Sequence, residues 1–398
     1  MCYSELGLDG SLRPVRGVVP ALLAAAQAGC TRAAVAAHNS AEAVMVPGLA
    51  VAGCQSLRAV LAWLHGQPFP VQPAISAAGT TPPPQGIWPA VSLAIAPYVR
   101  QALEVSAAGG HHPCLTGRRN SGIPVLAAGL AALLPALTPR EVMEVTAIHS
   151  TAGLLAPGHA PITRPPLRAP HHTATPAAIV GGSPGITRPG EAALAHHGVL
   201  FLDDAPEFAR NVLQALRQPL QHREVTVSCS GSTIRFPAKF TLVAGISPCP
   251  CGARSDCTCS PLQRRRYRAR LTGELGTYIA LWLNVPSLDP APTNGKDDAD
   301  AVSAVRVAAA RDRARHRLRH TPWHVNADIP GAELRRSHLP PAEALAPINR
   351  AVDLGEISAR AAHDVVRVAW TLADLAGNPR PGPDECGQAL AFHLGVAG

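Results

Sequence analysis

Residues Gly117-Arg118-Arg119-Asn120-Ser121-Gly122-Ile123-Pro124 set two glycines at the spacing G-x-x-x-x-G. A loop of this kind turns successive backbone N–H groups toward one point, which is the chemistry of holding a phosphate chain. In a complete phosphate loop the next two residues are Lys, which neutralises the phosphates, and Ser or Thr, which ligates Mg²⁺. Here they are Ile123 and Pro124. Isoleucine offers no charge and no donor. Proline lacks the hydroxyl and the backbone N–H, although it is tolerated early in a helix. Each charge-assisted hydrogen bond lost is worth roughly 1.5–3 kcal/mol. Arg118 and Arg119 bring positive charge into the loop, but not at the lysine position. Gly117 and Gly122 also read plainly as turn glycines.

A second chemical feature is the run Gly198-Val199-Leu200-Phe201-Leu202-Asp203-Asp204, an apolar strand ending in two carboxylates. This is the form of a Walker B strand. Asp203 stands where the Mg²⁺ partner belongs, and Asp204 where a Glu would polarise water. Asp204 is one methylene short of Glu, and a misplacement of about 1 Å can cost 10²-fold in rate. Asp203 reads equally as a carboxylate capping a turn at a strand end.

Four of the ten cysteines lie together as Cys249-Pro250-Cys251 and Cys257-Thr258-Cys259. Four soft ligands this close are a candidate tetrahedral Zn²⁺ site; the C-x-C spacing is tighter than the usual C-x₂-C. The same residues also read as half-buried thiols in a Pro/Gly loop. Next comes the densest basic run, Arg264-Arg265-Arg266-Tyr267-Arg268-Ala269-Arg270. It suits contact with DNA phosphates or, equally, a solvated helix face. The pairs His171-His172 and His196-His197 resemble metal pairs, but metal binding is not expected there.

Elements must position these groups. Residues 1–66 read as a small α/β unit: a helix around Ala21–Ala26, strands at Ala33–Ala37 and Leu49–Ala52, and a helix from Leu57 with Ser56 as N-cap. No strand is expected before Glu5. Residues 67–90, with Gly79-Thr80-Thr81-Pro82-Pro83-Pro84, read as a Pro-rich linker. Residues 91–286 form an α/β core carrying the loop and the acidic strand. Residues 287–299 read as a loop and residues 300–398 as an all-helical domain, with one long charged helix over Asp300–Arg319 and about two more helices between His338 and Gly377.

A chain of 398 residues with 47% hydrophobic content has room for two or three folded domains and excludes global disorder. The net charge of +8 favours a polyanionic partner, and Arg supplies nearly all of it, since Lys239 and Lys296 are the only lysines. The same bias is also what a GC-rich coding sequence produces. Aromatic residues are 4%, which argues against a base-stacking platform. No apolar run long enough to span a membrane and no signal peptide is visible, so a cytoplasmic location is expected.

The middle of the chain resembles the ComM/YifB family of Mg-chelatase-like AAA+ ATPases. The resemblance rests on Glu144-Val145-Thr146-Ala147-Ile148-His149-Ser150, Ile162-Thr163-Arg164-Pro165-Pro166-Leu167-Arg168-Ala169-Pro170-His171-His172-Thr173, and His196-His197-Gly198 with the strand that follows. Ala215-Leu216-Arg217-Gln218-Pro219-Leu220, Pro248-Cys249-Pro250-Cys251-Gly252 and, near the C-terminus, Val368-Ala369-Trp370-Thr371-Leu372-Ala373-Asp374 extend it. Residues 5–17 are similar to the later part of the Lon-protease-like domain of that family. No Lys occurs in residues 1–66, so a Ser–Lys dyad is excluded and this domain is expected to be partial and non-proteolytic.

The resemblance implies a P-loop-type parallel sheet core with a helical C-terminal lid, preceded by the partial Lon-like α/β domain. It implies ATP and Mg²⁺ as cofactors, DNA as partner, and a homo-oligomeric ring or assembly with an active relative. It also assigns places: Ser247 stands at the sensor-1 Asn position, Tyr278 at that of a candidate arginine finger, and Arg360 in the sensor-2 region. Asp203, Asp204, Ser247 and Arg360 are thus the candidate catalytic residues. With the lysine, the hydroxyl, the Glu and the finger all replaced, impaired ATP hydrolysis is expected. The alternatives are a non-enzymatic DNA-binding or adaptor protein, or the product of a decayed gene.

Overall fold

The apolar runs Val199–Leu202 and Thr241–Ile246 are buried along their whole length, as parallel strands covered on both faces must be. They sit in a five-stranded parallel sheet of order Ile279–Val285, His112–Gly117, Thr241–Ile246, Val199–Leu202, Leu167–Arg168. Ala244 lies opposite Cys114 on one side and Leu202 on the other. That register brings the ends of these three strands to one edge. The computed structural model describes residues 1–67, 96–118, 121–155, 161–182, 188–229, 232–252, 257–286 and 297–396. The expected linker over 67–90 falls almost wholly outside the described residues.

Strand side chains alternate between faces. Leu115, Val199, Phe201 and Val243 enter one hydrophobic cluster; Cys114, Leu200, Leu202 and Leu242 enter the other. The helices Pro97–Gly109 and Ile123–Leu133 contribute to the first cluster, as do the C-terminal helices. The second includes Val225, Val227 and Phe236 of the antiparallel hairpin Glu224–Cys229/Ser232–Pro237.

The first residues form their own parallel sheet, Cys2–Tyr3, Arg32–Ala36 and Ala50–Cys54 in that spatial order. The helix Leu57–Leu64 starts at Ser56, whose Oγ accepts from the Ala59 N–H. The strand Cys2–Tyr3 corrects the expectation that none precedes Glu5. Two residues are too short to show an alternating pattern, and the pairing depends on Arg32–Ala36, far along the chain. Ser150, on the helix Pro139–Ala152, ties this unit to the core by donating to Glu42 at 2.9 Å.

Beyond residue 296 the chain is helical: Asp297–Arg317, Gly331–Ser337, Ala342–Asp353, Ala359–Ala376 and Pro383–Leu394 are the main helices. The fourth is capped by Ser358 Oγ and stops at Gly377, which takes the left-handed conformation a helix end favours. A buried polar knot fixes these helices to the starts of the sheet strands. Arg317 makes two hydrogen bonds to Asp374, at 2.5 and 2.7 Å. Asn326 donates to Asp374 and Thr371, and Thr371 Oγ1 meets His111 Nε2 at 2.8 Å. Among the described residues no helix is long and apolar enough to cross a membrane.

Candidate functional site

Parallel strands end together, and here the ends carry the expected groups. Gly117 closes the strand His112–Gly117; Asp203 and Asp204 follow Val199–Leu202; Ser247 follows Thr241–Ile246. The glycine loop then turns on a Ser121 N–H to Arg118 carbonyl bond of 2.9 Å, and Gly122 has φ +72°. Only a residue without a Cβ takes that φ readily. Ile123–Leu133 is helical with Pro124 in its first turn. Arg118 is exposed, whereas Arg119 and Asn120 lie outside the described residues.

Ile123 is packed inward. It is 6% exposed and belongs to the core cluster. A Cβ built on Gly245 would meet Ile123 Cγ2 at 3.1 Å, Asp203 Oδ1 at 3.2 Å and Phe201 at 3.3 Å. A Cβ on Gly117 would meet Ser121 Oγ at 2.3 Å and Ile123 Cδ1 at 3.2 Å. The isoleucine therefore lies down against the two strand glycines, beside the first carboxylate. The Ser121 hydroxyl is buried over Gly117 with no hydrogen-bond partner among the described residues. An orphaned hydroxyl suits an acceptor, but a Mg²⁺–triphosphate needs a cation and a metal-binding hydroxyl where Ile123 and Pro124 stand. The described residues therefore do not fit that group, and no catalytic step is derived through it.

Asp203 and Asp204 are tied to each other and to the next strand. The Asp204 N–H donates to Asp203 Oδ1 at 3.1 Å, and Ser247 Oγ donates to Asp204 Oδ1 at 2.9 Å. Asp204 has φ +46°, a strained conformation for a residue with a side chain. Desolvation, and then the charge of Asp204, raises the Asp203 carboxyl above its ordinary range. Below them Tyr267 is buried, and burial pushes its phenol up. With Ser247 on one of its oxygens, Asp204 is less open to act as a base toward water than a free Glu would be.

The same edge of the sheet carries the cysteine cluster. The sulfurs of Cys249, Cys251, Cys257 and Cys259 all lie within 4.8 Å of one another. Cys249–Cys251 is 3.1 Å and Cys251–Cys257 is 3.5 Å. Arg264 Nη2 approaches Cys257 Sγ at 3.5 Å. A hydrogen bond from Cys249 draws the Cys257 thiol down from its ordinary value. The next helix, Pro261–Thr272, opens on a capping box formed by Ser260 and Gln263. It buries Tyr267 and Leu271 and exposes Arg264, Arg265, Arg266, Arg268 and Arg270.

A second compact group, Glu144, His196 and His197, also has metal-like spacing. Its hydrogen bonds speak against a metal. His196 Nδ1 accepts from the Lys239 N–H at 3.0 Å, so a neutral ring carries its proton on Nε2, toward Glu144 at 3.4 Å. That leaves His196 no lone pair for an ion. The group instead ties the helix Pro139–Ala152 to the strand starts.

Arg360 and Tyr278 stand elsewhere. The Arg360 guanidinium lies 5.8 Å over the Tyr278 ring. Both line a cavity of about 880 Å³ shared with His112, Gly198, Thr241 and Ala280. Those four lie at or next to the starts of the central strands, the opposite end from the glycine loop. The structure thus brings together Gly117, Ser121, Gly122, Ile123, Asp203, Asp204 and Ser247, and does not bring Arg360 to them within one chain. Sequence reasoning missed this cavity, because its lining is scattered from residue 110 to residue 367 with no common spacing.

Comparison with known proteins gives a consistent result. The sequence model of the magnesium chelatase ChlI subunit matches residues 95–292, and that of the ChlI C-terminal region matches residues 298–393. An uncharacterized protein of Mycobacterium tuberculosis is 42% identical over 396 residues, which is 98% of this chain and 78% of that protein. Competence protein ComM of Haemophilus influenzae is 33% identical over 403 residues, covering 99% of this chain and 77% of the relative. YifB of Escherichia coli, also uncharacterized, is 33% identical over 382 residues, covering 93% and 72%.

Proposed function

The chain belongs to the Mg-chelatase-like family that includes ComM and YifB, and from that premise we propose that it is a cytoplasmic, DNA-binding member impaired in ATP hydrolysis. The observation that carries the reading is Ile123, buried against Gly117 and Gly245 where a phosphate-binding lysine would reach out. Asp204, held by Ser247, and Tyr278, in the place of a finger whose arginine contributes about 10³–10⁵ in rate, support it. The DNA part rests on the net charge of +8 and on the exposed arginines of Pro261–Thr272. Arg360 sits at the strand starts, so its contribution to any nucleotide site would come from a neighbouring copy in a ring, or from an active relative assembled with this chain. ATP and Mg²⁺ are the family's cofactors; in this chain they are proposed to bind weakly or not at all.

The test is equilibrium binding of a fluorescent ATP analogue with and without Mg²⁺, together with ATP turnover. The native chain is expected to show no turnover and no Mg²⁺-dependent binding below millimolar nucleotide. The double variant Ile123→Lys/Pro124→Thr should bind roughly ten- to a hundredfold more tightly for each contact regained, still without rapid turnover. Micromolar Mg²⁺-dependent binding with turnover by the native chain would overturn the proposal. For the DNA part, binding of duplex and forked DNA should weaken steeply with added salt. Undetectable binding at low salt would remove it.

A further inference from the structure

We propose that Cys249, Cys251, Cys257 and Cys259 form a structural zinc site that pins the turn between Ser247 and the basic helix Pro261–Thr272. Four thiolates at about 2.3 Å from one Zn²⁺ stand about 3.8 Å apart along the edges of a tetrahedron. Here all four sulfurs fit within 4.8 Å, with two neighbouring contacts at 3.1 and 3.5 Å. A disulfide would hold two sulfurs at about 2.05 Å, and the contacts here, at 3.1 and 3.5 Å, are far longer.

Zn²⁺ replaces four thiol protons, which leave to solvent, and the resulting four-thiolate centre carries two negative charges. The surroundings are built for that sign. Arg264 Nη2 lies at 3.5 Å from Cys257 Sγ. Cys259 directly precedes Ser260, the N-cap of a twelve-residue helix, so the positive end of that helix faces the centre. The sequence from Ser247 to Ser260 is rich in Pro, Gly and Cys, and among its described residues Cys249 is the only apolar side chain in the core. Yet it must hold Ser247 against Asp204 at one end and start a capped helix at the other. A metal crosslink supplies that constraint without a hydrophobic core. The proposal goes beyond the nucleotide-loop reading and is independent of it.

The test uses the full chain, purified from zinc-containing medium without chelator. Elemental analysis is expected to find one zinc per chain. Cys251→Ser and Cys257→Ser should each lose it, while Cys2→Ser, a change at an exposed cysteine remote in sequence, should keep it. Arg264→Ala should keep the metal but release it to a competing chelator with roughly 10–100-fold lower affinity. Because a cysteine variant can misfold, the native chain is also exchanged with Co²⁺. A tetrahedral four-thiolate centre then gives intense visible absorption with sulfur-to-cobalt charge transfer. Absence of stoichiometric zinc together with no such spectrum overturns the proposal, as does a thiol titration showing two cysteines of the cluster already oxidised to a disulfide.

Discussion

At the starts of the central strands, charged and polar groups are buried or half-buried and mostly paired: Arg317 with Asp374 (its Nε alone lacking a partner among the described residues), Asn326 with both Asp374 and Thr371, and Glu144 with His196 and His197. At the strand ends the pattern reverses. Ile123, at the start of the loop helix, is buried, the Ser121 hydroxyl is buried without a hydrogen-bond partner among the described residues, and the basic helix shows its arginines to solvent. The two ends of one sheet thus divide the work. Polar groups at the first end hold the helical region to the core. On the proposed reading, groups at the second end meet ligands, and Ile123 does not suit a phosphate chain. The contrast gives a rule for mutation: changes at the first end should appear mainly in stability, changes to the exposed arginines at the second mainly in binding, and Ile123, packed at that second end, should behave as core.

The largest expected effect is at the first end. Asp374 is 2% exposed, and Asp374→Ala leaves Arg317 without its carboxylate in a buried setting. Breaking such a pair from one side costs roughly 3–5 kcal/mol. Urea unfolding should show that loss while DNA binding by the folded fraction is unchanged. A loss under about 1 kcal/mol, the size of a surface pair, would dissolve the contrast.

Acid should act at the same end. Burial holds the pKa of His111 down at about 3 and that of His149 at about 4. Both rings are therefore neutral in the folded chain, while an unfolded histidine takes up a proton near pH 6.5. Below that pH the unfolded state binds more protons, so stability is full above about 6.5 and falls as pH drops toward about 4. The slope within that window is about 1.4 kcal/mol per pH unit for each histidine. Urea midpoints measured at half-unit steps of pH check it. A flat profile there would mean that these rings are hydrated.

Much of this division was legible in the sequence, and the rest failed for a physical reason. The buried strand Val199–Leu202 could be read from the sequence, because a strand covered on both faces is apolar at every position. The cap at Ser56 and the cysteine spacing were legible because they are local. So were the replaced residues Ile123 and Pro124. The long helix was expected from Asp300 and begins at Asp297, a difference within the usual fraying of helix ends. The place of Arg360 was not legible. Its residue type and helix could be read, but which end of the sheet that helix meets depends on His111, Asn326 and Thr371 meeting across the fold. Nor could the sequence show Ser121 folded over Gly117, since turn residues do not reveal where a hydroxyl points.

The smallest effect tests the other end most sharply. Ile123→Val removes one methylene from a side chain lying against Gly117, Gly245 and Phe201. If the isoleucine is core filler, the change should cost about 0.5–1.5 kcal/mol, the usual loss for this substitution in a packed interior. Nucleotide and DNA binding should not move, because valine presents the loop with the same absence of charge. If the side chain instead faced a ligand, stability would be unchanged and binding would respond. Urea unfolding and nucleotide titration on the same preparation separate the two outcomes. A stability cost without a binding effect means that this strand end has exchanged a phosphate contact for packing. The reverse result would place Ile123 on a ligand surface and withdraw its reading as packing.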